Sequence, residues 1–288
     1  MDALRAAFFD RNDDLRNGWW ALLYMAACLL LMSPLMLFHL SQAAFGFLSA
    51  GILAAVGLCC LRLQKRPLRE LGLGPDRRWA PDFGFGILCG AGILILAALL
   101  SRGSGSFHWE RNADVNLHLM LTGAWLFLAV AFFEELLFHG YLLQRAVGGL
   151  GFWPGLILMG LIFARAHWNN PGITSQATLV WATVNICLAG LLLGLGYLRF
   201  KSLAWPIGLH LGWNWTQGNL LGFAVSGTTD APGWWRVVFH PGHAAWLTGG
   251  AFGLEASLPC AIVCGVAVVA LVLWKGRASA DPSTAQAS

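Results

Sequence analysis

Apolar residues run through this chain in long stretches separated by short polar breaks, and the stretches do not alternate polar with apolar positions. Crossing a hydrocarbon core of about 30 Å takes roughly 20 helical residues. Eight stretches approach that length, at roughly 18–40, 43–63, 83–101, 119–147, 153–169, 175–199, 203–223 and 257–275. Lipid offers the backbone no hydrogen-bond partners, so these stretches must pair their own N–H and C=O groups as helices, whereas a barrel would show a period of two. The pattern therefore predicts an all-α, polytopic transmembrane helix bundle of about eight spans.

Composition supports lipid as the solvent. Hydrophobic residues make up 57% of the chain and charged residues only 11%, with a mean hydropathy of +0.63; soluble domains carry about 25% charged residues. One membrane domain over residues 1–288 is expected, without an internal repeat. The first span exceeds a signal-peptide core and lacks a clear cleavage site, so it reads as a retained helix after the short segment 1–17. The tail 277–288 is small and polar and is expected to be disordered. The segment 62–82 reads as a basic loop or short surface helix, with Leu68, Leu71 and Leu73 as an apolar edge, and the glycine-rich segment 224–256 as an interfacial excursion.

Charge then orients the bundle. Lys and Arg gather at Arg5, Arg11 and Arg16, at Arg62, Lys65, Arg66, Arg69, Arg77 and Arg78, and at Arg145, Arg199, Lys201, Lys275 and Arg277. With eight alternating spans these all fall on one side, opposed only by Arg102, Arg111 and Arg236. The positive-inside rule then puts both termini in the cytoplasm, for a multi-pass protein of the cell (inner or plasma) membrane. The formal charge of +4 is a topology signal and an attraction to anionic lipid, so the lipid bilayer is a partner and nucleic acid is not. The seven cysteines sit in apolar spans and read as small core residues. Trp19, Trp20, Trp79, Trp153, Trp205 and Trp274 fall near span ends, as interfacial anchors do. His240 and His243 have the spacing of metal ligands but read as exposed loop residues.

Candidate chemistry comes from polar residues that lipid should exclude. Only Glu134 and Glu135 among the acids lie within a span, and an ionisable residue at that depth marks a functional site by default. Adjacent on a helix, the two glutamates face directions about 100° apart, and Glu135 shares its face with His139 four residues on. Phe163 and His167 have the same spacing in the fifth span, as do His210 and Asn214 in the seventh. Counted along their helices, Glu134, His167, His210 and Asn214 are expected at one depth.

In order, "EELLFHG", "FARAH" and "HLGWN" resemble the CPBP family of intramembrane proteases, also called the CAAX-protease, bacteriocin-processing or Abi family, whose motifs are EExxxR, FxxxH and HxxxN. With "LRELGLG" and "LTGGAFGLE", the resemblance extends over roughly 67–260. It departs from the family at His139, which stands where the motif has arginine; Arg165, an unusual cation within a span, is a candidate replacement countercharge for Glu135.

The resemblance implies an intramembrane endopeptidase acting on a membrane-associated peptide or protein, as in CAAX-type or leader-peptide processing. Glu134 would be general base, His167 would orient the water, and His210 and Asn214 would bind the oxyanion, with Glu135 completing the set. No cofactor is required in that mechanism, although Glu134, His167 and His210 are also a plausible ligand set for Zn²⁺ in a metalloendopeptidase. Two other classes use the same residues: a non-catalytic scaffold or bacteriocin-immunity protein, and a proton-coupled transporter. Substrate identity and oligomeric state have no signature in the chain.

Overall fold

Each apolar run folds into helix, which closes the backbone hydrogen bonds within the segment itself. The computed structural model describes residues 2–10, 13–74, 76–228 and 232–274. A short α1 (Asp2–Phe8) precedes α2 (Asn17–Met32), α3 (Gln42–Leu63) and α4 (Trp79–Gly103). Strand β1 (Phe107–Arg111) leads to α5 (Leu117–Glu134), which continues through a π-helical turn (Glu135–Gly140) into α6 (Tyr141–Leu150). Next come α7 (Phe152–Ala166), α8 (Gln176–Phe200), α9 (Ala204–Trp215) and a second π-helical turn (Thr216–Leu220). Strand β2 (Trp235–Phe239), the one-turn α10 (Ala245–Thr248) and α11 (Leu258–Leu273) complete the described order.

Five segments are long and apolar enough to cross a membrane: Asn17–Leu37, Gln42–Leu63, Trp79–Gly103, Leu117–Leu150 and Gln176–Phe200. The other three predicted spans are shorter helices, α7 with 15 residues, α9 with 12 and α11 with 16. Helix α7 stops before Asn169-Asn170-Pro171, where the proline disfavours helical backbone at the residue before it. Serine or asparagine caps α3, α5, α8 and α11, each side chain accepting from an N–H of the first turn. Leucines such as Leu30, Leu96, Leu161 and Leu273 are exposed on the outer helix faces, where lipid makes their exposure favourable.

The excursion expected over 224–256 contains a strand. β2 pairs antiparallel with β1, from Phe107 opposite Phe239 to Arg111 opposite Trp235. Phe107 meets Phe223 and Phe239 edge-on, at 5.2 and 6.3 Å between ring centres. Across the pair Arg236 donates to Glu110 at 2.7 Å, and this bond, followed by the one from His108, holds the exposed Glu110 carboxyl below its usual range. In the basic loop, Leu68–Leu71 forms a 3₁₀ turn that buries Leu71 completely, so Leu71 is a core residue while Leu68 stays exposed. The tail 277–288, Lys275 and Arg11 lie outside the described residues.

Helices α4 and α9 pack backbone to backbone. Gly86 and Gly90 face Gly208 and Gly212, and a Cβ at any of the four would overlap the partner helix's main chain. Such pairs of small residues four apart let helices approach closely where no hydrophobic driving force acts between them. Gly212→Val should push α9 off α4 and lower thermal stability together with any activity. Unchanged melting of the purified variant would show that the seam yields.

Candidate active site

The span carrying the two glutamates changes winding at the glutamates themselves. After Glu134 the α-helix widens into the π-helical turn, an interruption often found at functional positions. The Glu134 side chain, 19% exposed, reaches into a cavity of about 260 Å³ between the helices, whereas the Glu135 side chain is fully buried in protein. His139 keeps its predicted place beside Glu135, with Nδ1 2.8 Å from Oε2. Its N–H direction misses that oxygen, so the contact is electrostatic and not a hydrogen bond.

His210 stands on α9 between Gly208 and Gly212, and each of its ring nitrogens faces one of the adjacent glutamates. Nδ1 is hydrogen-bonded to Glu135 Oε1 at 2.8 Å, and Nε2 lies 3.8 Å from Glu134 Oε2. His167 closes the end of α7, with Nδ1 hydrogen-bonded to the Phe163 carbonyl at 2.8 Å and Nε2 also 3.8 Å from Glu134 Oε2. The Phe163 ring packs edge-on against His139, His167 and His210, which fixes their planes. Asn214, one turn after His210, lines the same cavity.

These hydrogen bonds determine the tautomers. A carbonyl only accepts, so His167 Nδ1 carries the proton, and an ionised Glu135 imposes the same on His210. In singly protonated rings the lone pairs on both Nε2 atoms then face Glu134 Oε2, which is buried without a hydrogen-bond partner. Three acceptors around one point call for a donor such as water between them.

The zinc expectation fits less well. A tetrahedral shell with bonds near 2.0–2.2 Å separates its ligand atoms by about 3.4 Å, and both separations from Glu134 Oε2 here are 3.8 Å. Among the described residues, no three or more His, Cys, Asp or Glu side chains are arranged to hold a metal ion. His240 and His243 form no metal-holding group either. His240 Nε2 is hydrogen-bonded to His108 Nδ1 at 2.9 Å, and the His243 ring stacks on Phe239.

Arg165 does not replace the missing arginine. It points outward with its guanidinium 5.0 Å from the Trp168 ring centre, because its position on α7 turns away from the face shared by Phe163 and His167. Glu135 is met by two imidazoles instead, those of His139 and His210.

Glu255, which lies outside every predicted span, forms part of the cavity wall. It accepts from Trp213 Nε1 at 2.8 Å, Ser226 N at 2.6 Å and Ser226 Oγ at 2.7 Å. It thereby ties the residue next to Asn214 to the loop after α9. The signal available was a lone acid in the apolar, glycine-rich stretch before the last helix, which has to find partners. Asn185 on α8 steadies the same wall by donating to the Ser257 carbonyl at 2.9 Å.

Residues 116–216 match the family model described as Rce1-like, type II CAAX prenyl endopeptidase Rce1-like. The match covers about a third of the chain, less than the expected 67–260, and spans all three motifs from Glu134 to Asn214. It agrees with the CPBP resemblance and supports an intramembrane protease in general terms. No curated protein and no solved structure matches the chain.

Proposed function

We propose that this chain with an Rce1-like segment is a glutamate-dependent intramembrane endopeptidase. The observation that carries the reading is the convergence of Glu134 Oε2 with the Nε2 atoms of His167 and His210 in a cavity within the helix bundle. Water held there gives its proton to Glu134 while its oxygen attacks the peptide carbonyl, and His167 Nε2 accepts the second hydrogen and orients the attack. The Asn214 amide donates to the oxyanion. His210 joins it when the ring carries both protons, one held by Glu135 and one turned to the cavity. Collapse of the intermediate breaks the C–N bond, and Glu134 returns its proton to the leaving nitrogen, giving a free carboxylate and an amine.

The substrate class is a membrane-associated peptide or protein whose cleavage site can enter between the helices, with CAAX-type C-terminal peptides and leader peptides as first choices. Incubating the full chain in liposomes with a library of membrane-anchored peptides, and reading new termini by mass spectrometry, tests the proposal. Loss of an oxyanion donor costs about 10²- to 10³-fold in kcat, so Asn214→Ala should slow cleavage by that factor with little change in KM. Equal rates for wild type and Asn214→Ala would remove Asn214 from the oxyanion site. A wild type that cleaves no member of the library would count against the enzyme itself.

A further inference from the structure

A second, larger cavity of about 1240 Å³ lies away from the glutamates, walled by α2, α6, α7 and the loop after α3. Its lining has two chemically distinct halves. One holds Arg16, Lys65, Arg66 and Arg145; the other holds Leu22, Leu158 and Ile162, all exposed on the outer faces of α2 and α7.

Arg145 is the informative member of the basic half. It is 3% exposed, yet no carboxylate among the described residues lies within ion-pair distance of it. Nη1 donates to Gln64 Oε1 at 3.2 Å, the guanidinium carbon lies 5.1 Å from the Tyr141 ring centre, and Nε is buried without a partner. Glu70, engaged by Arg66, acts on Arg145 only through space, and a buried cation that makes no ion pair is costly. The N-terminus of α2 opens on the same cavity through Arg16, Asn17, Gly18 and Trp19, and no side chain caps it. An uncapped helix start beside an arginine that makes no ion pair among the described residues offers its donors to an anion, and the guanidinium fork suits phosphate oxygens. Arg66 is engaged with Glu70 at 2.7 Å. The acids in the lining, Asp10 and Asp14, are exposed, unlike Arg145.

We infer that this cavity binds an anionic phospholipid, its phosphate on Arg145 and the start of α2 and its acyl chains along the leucine and isoleucine side chains between α2 and α7. A soluble anion would account for the basic half alone. The apolar half, continuous with the lipid-facing surface, calls for an amphiphile entering from the bilayer. The inference is independent of the proposed cleavage chemistry.

The test is native mass spectrometry of the full chain in detergent with short-chain phosphatidylglycerol or phosphatidylcholine, and with inorganic phosphate as competitor. Phosphatidylglycerol should be retained in preference to phosphatidylcholine. Arg145→Gln should weaken its binding by about tenfold or more, the scale of a lost charge-assisted hydrogen bond. The exposed double substitution Arg16→Gln with Lys65→Gln should weaken it less, and it serves as the deciding variant should Arg145→Gln fail to fold. Equal retention of both lipids, or wild-type phosphatidylglycerol binding by the double variant, would overturn the inference. Displacement by inorganic phosphate at the same concentration would assign the site to free phosphate and overturn the lipid.

Discussion

Glu134→Gln should lower peptide cleavage by about 10²- to 10⁴-fold, the usual contribution of a positioned general base, while leaving the bundle at least as stable as wild type. Both halves of this result come from one arrangement. Glutamine keeps the shape of glutamate but cannot take a proton from water. Glu134 Oε2 has no hydrogen-bond partner and stands 3.8 Å from two imidazole nitrogens, so an amide N–H placed there faces acceptors instead of meeting them with a third. Cleavage kinetics and thermal unfolding of the same preparation check both halves. Wild-type turnover by Glu134→Gln would remove it as the base, and a large loss of stability would mean that its carboxylate is structural.

Glu135→Ala should do the reverse to stability. The carboxylate is fully buried and meets His139 Nδ1 and His210 Nδ1, each at 2.8 Å. Its removal leaves the His210 ring without its acceptor and the His139 ring without the carboxylate it faces, and opens a gap beneath the π-helical turn. Removing one partner of a buried carboxylate–imidazole cluster in this way should cost about 3–5 kcal/mol, a melting shift on the order of 10 °C. Cleavage should fall as well, because the His210 ring loses the bond that aims Nε2 at the cavity. The adjacent substitutions Glu134→Gln and Glu135→Ala are thus separated by the sign of their stability change. Similar melting for the two proteins would show that the glutamates do not divide the work between water and histidine.

Much of this arrangement is legible from helical spacing. Glu135 with His139 and His210 with Asn214 share faces because four residues make about one turn, and the apolar runs mark where helices form because lipid permits little else. The change of winding at Glu135–Gly140 has no such signature, since the same residues favour an ordinary α-helix and tertiary contacts decide. The pairing of β1 with β2 joins residues more than a hundred positions apart, and neither five-residue strand is distinctive alone. Glu255 was hidden for a related reason: its partners, Trp213 and Ser226, become neighbours only when the stretch before α11 folds back onto the cavity. Arg165 shares a helix with His167 but not its face, and the residues that meet Glu135 are His139, one turn on, and His210 from another helix.

The glycine seam between α4 and α9 has a mechanical consequence. Two helices in main-chain contact move as one strut, so His210 follows any tilt of α4, whereas His167 stands on α7 and Glu134 on α5. Bilayer thickness, to which long hydrophobic helices respond by tilting, would therefore act on the spacing of these three residues. Membranes of different thickness would open or close the triangle of Glu134, His167 and His210 without altering a single residue in it.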